Sequence, residues 1–436
     1  MADSFDKPDP RVEEYKSTSP SSPDVPTASG ASPIRVLTIL GLGTALSLLG
    51  DSTLYTVLPD PPNAAIAGVS LTAVGFILGA NRLTRIFTNP LAGALLDRFP
   101  RRWLLIPAML LGFLCSLIYA LGSGLAAFLV GRILWGFAWS GIWIGGNSVV
   151  LDVTGATNRG KLSGLYQTWF FIGVGGSALL AGIFTDVFGF RGGLLVSSGL
   201  NALAVLLWLF LLPETADPAR HAAPERGEEP LEPVHWPTIV SAALPTFGMR
   251  FVYAGVIAST SILWLGSLFA RGSGLSPPDL PIATLTGIFV ALRTITSMFS
   301  GPLSGALSDR LGRRWGVLSG LLLIGGLGTW LMGNQVAAIA LLGGFIAAIP
   351  GGGVQALIPA LVGDHVGTKH ESQALGIIYT FGDLGSALGP VAALGLIGTL
   401  GLPAIYKFCS ALLILLAILA TYRFRKEPIL VHKTGE

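Results

Sequence analysis

The sequence predicts an all-α membrane protein: twelve transmembrane helices forming two pseudo-symmetric six-helix bundles. Three observations carry this. Of 436 residues, 51% are hydrophobic and 12% charged, about half the ~25% charged share of a soluble domain; mean hydropathy is +0.68. Twelve apolar runs fall as six, a polar break, then six, each near the ~20 residues that cross a bilayer. The second six repeat the first at an offset of 212 residues.

The elements follow in order. Residues 1–33 are rich in Ser, Pro and Asp and too polar to bury, which predicts a disordered cytoplasmic tail. They lack the charged start and short apolar core of a cleaved signal. The first bundle, 34–212, holds runs at 34–58, 70–91, 103–122, 126–151, 161–185 and 192–212. Residues 213–236, with Glu225, Arg226, Glu228 and Glu229, form a cytoplasmic linker. The second bundle, 237–424, holds runs at 238–268, 282–303, 315–333, 336–361, 373–398 and 401–422. Residues 425–436 form a second cytoplasmic tail. With the N-terminus inside, nineteen of the 27 Lys and Arg fall in cytoplasmic segments. Only Arg191 and Arg271 fall outside, and six lie within helices. This bias puts both termini and the linker in the cytoplasm, and the expected location is a prokaryotic inner membrane, with the lipid bilayer as solvent.

Composition also excludes functions. A net charge of +3 without a basic stripe gives no case for nucleic acid. Cys115 and Cys409 sit in apolar runs without metal-ligand spacing, and all five His lie in cytoplasmic segments. No cofactor or metal is expected. No set of nucleophile, base and orienting group emerges, so the chain does not read as an enzyme. A membrane enzyme or a transporter-derived sensor is the disfavoured alternative, since the sensor needs a soluble domain that tail and linker have no room for.

The repeat is sharpest after the second helix of each half. Residues 90–103 read PLAGALLDRFPRRW and residues 302–315 read PLSGALSDRLGRRW. Here the chain resembles the major facilitator superfamily, whose signature in this loop is Gly, Asp, Arg and then basic residues. It stands as Gly93, Asp97, Arg98, Arg101 and Arg102, and again as Gly305, Asp309, Arg310, Gly312, Arg313 and Arg314. Pro100 replaces the usual Gly in the first copy, so the turn there is expected to differ. Pro213-Glu214-Thr215 after the sixth helix and Arg132 with Gly136 in the fourth match the family too. The Gly-x-x-x-Gly-Pro run that marks the family's antiporters in helix 5 is missing there; Gly385 to Pro390 carries it in helix 11.

The resemblance implies a monomeric secondary transporter working by alternating access, with its site at the midplane between the halves. It implies that Asp97, Arg98 and Asp152, with their mates Asp309, Arg310 and Asp364, form a cytoplasmic gate that holds the outward-facing state. Arg101, Arg102, Arg313 and Arg314 are expected to serve mainly charge topology.

Charges within helices mark the function. Each costs ~2.5–3.5 kcal/mol at a helix centre on the insertion scale and is a functional candidate by default. At ~1.5 Å per residue, Asp51, Arg82, Arg85, Arg250, Arg293 and Asp383 lie ~18–24 Å from the cytoplasmic end. By resemblance, helices 1, 7 and 8 contribute to a central cavity, and helices 2 and 11 face each other across it. Asn81, Arg85 and Asn89, at i, i+4 and i+8, predict a polar stripe along helix 2. Tyr55 joins the candidates as an outer cavity residue; Tyr253 and Trp264 read as lining or as interface anchors. A carboxylate in an apolar helix can exchange a proton, which makes Asp51 the first candidate for proton coupling. A static ion pair with Arg82 or Arg85 is the other reading, and Asp383 has the same two. Five helix arginines, Arg132 included, against two aspartates make the cavity positive. The expected cargo is a small anionic or zwitterionic solute, which Arg holds bidentately. A broad-specificity drug, metabolite or amphiphile exporter is the alternative.

Overall fold

The computed structural model describes residues 32–154, 158–216, 236–270, 280–365 and 371–426. The tails 1–33 and 425–436 and the linker 213–236 lie largely outside these residues, as do Arg271, His221, His235, His370 and His432. Regular structure among the described residues is helical. The elements are α1 (Pro33–Val57), α2 (Pro61–Ala67), α3 (Leu71–Leu96), α4 (Arg101–Leu121), α5 (Gly124–Asp152) and α6 (Arg159–Leu211). Then come α7 (Trp236–Met249), a π-helical turn (Arg250–Ile257), α8 (Ala258–Ala270), α9 (Ile282–Leu311), α10 (Arg314–Met332), α11 (Ala337–His365) and α12 (Glu371–Lys426). Lipid offers backbone groups no hydrogen bonds, so a spanning chain satisfies them within each helix.

Nine of these helical stretches are long and apolar enough to cross a bilayer, and a tenth qualifies when α2 and α3, bent by 75°, are taken together. α6 and α12, at 53 and 56 residues, each break at a glycine: Gly189 (φ 72°, ψ 168°) and Gly401 (φ 72°, ψ 160°). At ~1.5 Å per residue, either would be far too long for one crossing. Side chains resist this left-handed backbone, so each glycine makes a hairpin of two spans, and the described helices are consistent with twelve crossings. The two glycines are themselves one repeat apart, so pseudo-symmetry reaches the hairpins. One buried core gathers side chains from Val36 to Leu212 and a second from Ile239 to Ala420. Ile262, Ala283 and Leu394 of the second half join the first core and mark where the halves touch.

Among the described residues the halves meet at one end only. Both Asp-Arg loops lie at the basic end; the Gly189 and Gly401 hairpins lie at the opposite end. Near the opposite end, a methyl group on Gly79 would lie 2.5 Å from the Ala387 carbonyl oxygen, and one on Gly287 2.6 Å from that of Ala178. The α3–α12 and α6–α9 seams are therefore closed backbone to backbone. Asp186 of α6 accepts a hydrogen bond from the Thr284 N–H of α9 (2.6 Å), and Pro281, ahead of α9, offers no side-chain cap. At the basic end the relation reverses. A methyl group on Gly93, Gly164, Gly305 or Gly376 meets nothing within 4 Å, and Phe87 and Leu303 are 78% and 70% exposed.

Two outer groups give predictions. Arg191 donates to the carbonyls of Tyr119 (3.0 Å), Ala120 (3.1 Å) and Ile66 (3.1 Å) and to Ser123 Oγ (2.9 Å). It caps the C-terminus of α4, where a cation suits the dipole. Arg191→Ala leaves these acceptors unpaired and is expected to cost about 1–3 kcal/mol, read as earlier thermal unfolding in detergent. Asp60, between α1 and α2, holds its carboxyl above the ordinary range, first because it is half-buried and then because Asp186 faces it. A raised carboxyl favours the protonated form in the folded state, so its ionisation costs stability as pH rises from the unfolded value through the folded one. Asp60→Asn should be neutral or mildly stabilising at pH 7 and without effect at pH 3, measured as a pH series of melting temperatures.

Candidate functional site

At the basic end, each half clamps its own acidic residue. Asp152, ending α5, receives Arg101 Nε (2.9 Å) and Nη2 (3.2 Å), a bidentate pair. Thr215 Oγ1 donates to the same carboxylate (3.0 Å). Glu214 accepts from the Arg101 and Arg102 N–H groups, 3.0 Å each, because Pro100 supplies no cap to α4. Pro213-Glu214-Thr215 thus fastens the end of the sixth span to the start of the third. In the second half, Arg314 binds Asp309 (2.9 Å) and closely contacts Asp364. These pairs correct the expected partners: Arg101 and Arg314, assigned to charge topology, hold Asp152 and Asp364. Asp97, Arg98 and Arg310 are exposed and form no ion pair among the described residues. Arg101 and Arg314 are also not repeat mates. Gly312 ends α9 in the left-handed conformation (φ 60°), whereas Pro100 (φ −54°) leads straight into α4. At the repeat offset of 212, α10 therefore starts one residue later than α4, and the next arginine reaches the acid.

A cavity of about 340 Å³ lies between the halves. Asp51, Tyr55, Asn81, Arg82, Arg85, Arg250 and Arg293 all line it. Asp383 sits behind this lining at 4% exposure. Its carboxylate lies 3.3 Å from Arg85 of the other half and 4.0 Å from Arg250. Arg250 opens the π-helical turn, a local feature that recurs at functional sites.

Three expectations change. Asp51 pairs closely with Arg132, not with Arg82 or Arg85. Arg132 is fully buried and not part of the lining: it donates to the carbonyls of Ile77 and Leu78, 3.1 Å each, and lies over the Tyr55 ring. Depth alone does not tell which way a side chain points around its helix. The helix-2 stripe also splits. Asn81 and Arg85 reach the cavity, but Asn89 accepts from Ser140 Oγ of α5 (2.7 Å). At 3.6 residues per turn, i+8 has drifted ~80° from i. Trp264 is a core residue that donates to the Met332 carbonyl (3.0 Å), while Tyr253 does line the cavity.

Sequence reasoning missed one wall. Trp135, Trp139 and Trp143 of α5 line the cavity with Phe170 and Phe171 of α6. The ring centroids of Trp139 and Trp143 are 5.7 Å apart at 14°, and those of Trp143 and Phe170 are 4.8 Å apart. The signal was present, three tryptophans at i, i+4 and i+8. They lie mid-helix, too deep for interface anchors.

The Major Facilitator Superfamily sequence pattern matches residues 40–292 and 282–436, nearly the whole chain beyond the first tail. The chain belongs to this superfamily. Among curated relatives of this major facilitator, "Multidrug resistance protein 2" of Bacillus subtilis is 25% identical over 62% of this chain, which spans 66% of that protein. "Tetracycline resistance protein, class C" of Escherichia coli is 24% identical over 82% of this chain and 88% of its own. Two solved structures share the fold. A bacterial homologue of the human lysosomal transporter Spinster, inward-facing and occupied, has a TM-score of 0.71 at 17% identity, covering 91% of this chain and 97% of that one. The human organic anion transporter MFSD10 has a TM-score of 0.64 at 20% identity, covering 89% and 100%.

In this major facilitator, the second and eleventh spans, α3 and the first part of α12, pack directly instead of facing each other across the cavity. A methyl group on Gly389 would lie 2.5 Å from Gly255 Cα, and one on Gly75 2.8 Å from the Pro390 carbonyl oxygen. The Gly385–Pro390 run therefore wedges the eleventh span between the second and the seventh.

Proposed function

We propose that this chain is a proton-coupled secondary transporter of a small organic anion or zwitterion, with the bundles 34–212 and 237–424 rocking about the cavity. One observation carries the reading: a midplane cavity, closed at the opposite end, whose guanidinium groups outnumber its carboxylates. Asp51 is spent on Arg132, and Asp383 is shared by Arg85 and Arg250. The four lining arginines set against Asp383 leave an excess of three positive charges among the described residues, and a lipophilic cation meets repulsion there. MFSD10, which shares the fold, is an organic anion transporter and agrees with this sign. With the basic end in the cytoplasm of a bacterial inner membrane, the described state is inward-facing. The clamped Asp152 and Asp364, with Asp97, Arg98, Asp309, Arg310 and the open Gly93 and Gly305, would then close the cytoplasmic gate in the other state. For proton coupling, Asp383 is the better-placed carboxylate, because its charge joins the halves. The transporter works as a monomer.

The efflux relatives keep a second reading in view, export of drug-like amphiphiles, and the aromatic wall supports it. Both readings meet one test, ligand-induced thermal stabilisation of the purified chain over anionic, zwitterionic and cationic solutes. Stabilisation by an anion or zwitterion that weakens at least about tenfold, or ~1.4 kcal/mol, in Arg82→Ala is the expected result. If only lipophilic cations stabilise, and Asp51→Asn abolishes their effect, the anion reading fails.

A further inference from the structure

The cavity is polarised in a way that net charge alone does not describe. Its first-half wall is aromatic: Trp143 and Phe170 present packed rings, backed by Trp139. Across from it, the second half supplies Arg293, which makes one long hydrogen bond to the Tyr253 carbonyl (3.5 Å). Arg293 Nη1, Tyr253 OH and, from α3, Arg82 Nε are buried without hydrogen-bond partners. No carboxylate lies within ion-pair distance of Arg82 or Arg293 among the described residues. Unpaired buried donors are costly, and a fixed guanidinium fork matches a carboxylate or similar planar oxyanion.

We infer that the cargo is a planar aromatic organic acid, its anionic group held by Arg82 and Arg293 and its ring laid on Trp143 and Phe170. This deepens the anion-transport reading and rests on it. The site draws on both halves: the aromatic wall and Arg82 come from the first, Arg293 from the second. A ligand that needs both poles is gripped fully only when the halves stand in the right relation, which links binding to rocking. A compact aliphatic dianion satisfies the guanidinium groups but leaves the aromatic wall wet. A neutral arene covers the wall but leaves the donors unpaired. The volume, about 340 Å³, is at the small end of the ~300–1,000 Å³ range of ligand pockets, which suits one or two fused rings.

The test is calorimetric titration of the full-length chain in detergent with four probes: 2-naphthoate, 2-naphthamide, cyclohexanecarboxylate and adipate. 2-Naphthoate should bind at least about tenfold tighter than each of the others, since each of them lacks either the stacking ring or the charge that pairs. Arg293→Gln should weaken 2-naphthoate by a similar factor. Trp143→Leu should erase its advantage over cyclohexanecarboxylate and leave the latter's affinity in place. If that variant does not fold, Trp143→Phe should narrow the advantage instead. Equal affinity for naphthoate and the aliphatic acids, or an advantage that survives Trp143→Leu, overturns the aromatic assignment and leaves anion transport standing. Binding of lipophilic cations alone overturns both.

Discussion

Asp51→Asn is expected to destabilise the folded chain by about 3–5 kcal/mol, the usual cost of removing one partner from a buried ion pair. The side chain of Arg132 is 0% exposed and that of Asp51 12%. Without the carboxylate, a guanidinium stays inside the first bundle among neutral neighbours such as the Ile77 and Leu78 carbonyls and the Tyr55 ring. Its hydrogen bonds partly remain, but its charge has no counter-charge at contact distance. The same logic separates a structural from a coupling role. If the pair is structural, the double variant Asp51→Leu with Arg132→Leu recovers most of the loss, since apolar replacements of both partners are often neutral. A double-mutant cycle of thermal unfolding in detergent measures this. If Asp51→Asn melts like the parent and loses only the response of transport to a pH gradient, Asp51 is the coupling acid and the pair with Arg132 is no structural strut.

That pair shows what the sequence made legible and what it did not. Apolar run length, Lys and Arg bias and a fixed repeat offset are one-dimensional, and they suffice for an all-helical membrane fold. Gly189 and Gly401 extend the repeat into the hairpins because both positions need the same left-handed backbone. Depth is also nearly one-dimensional, so Asp51, Arg82, Arg85, Arg250, Arg293 and Asp383 converge on one cavity region. Partner choice is not. It depends on azimuth around each helix and on which helices touch, and so Arg132 took Asp51 while Asp383 took Arg85 across the seam. The loop pairs turn on a one-residue shift in where the next helix starts, after Pro100 in one half and after Gly312-Arg313 in the other; the sequence displays these residues but not their effect on arginine reach. The tryptophan ladder of α5 is readable from its i, i+4, i+8 spacing at mid-helix, a depth at which interface anchoring does not apply.

Gly79→Leu should trap the transporter open toward the opposite end and cut transport at least about tenfold, more than ~1.4 kcal/mol in the closing equilibrium. A Cβ alone at this position would approach the Ala387 carbonyl oxygen to 2.5 Å; a full leucine cannot enter the seam unless α3 and α12 part. That contact exists only while the halves are closed there, so the substitution penalises one state and spares the other. Gly93→Leu is the mirror experiment. Nothing lies within 4 Å of a methyl group there in this state, and the residue sits on the same helix at the end that must close in the alternate state. Its leucine should favour the present, basic-end-open arrangement. The readout is labelling of a cavity cysteine, Ser297→Cys, by a membrane-impermeant thiol reagent added to one side of oriented vesicles. The native Cys115 and Cys409 are buried and serve as a quiet background. Labelling should move to the opposite side in Gly79→Leu and stay on the basic side in Gly93→Leu, with transport low in both. The same labelled side in both variants would mean that these two glycines do not sit on opposed gates, and a rocking motion of rigid halves would no longer explain the cavity's access.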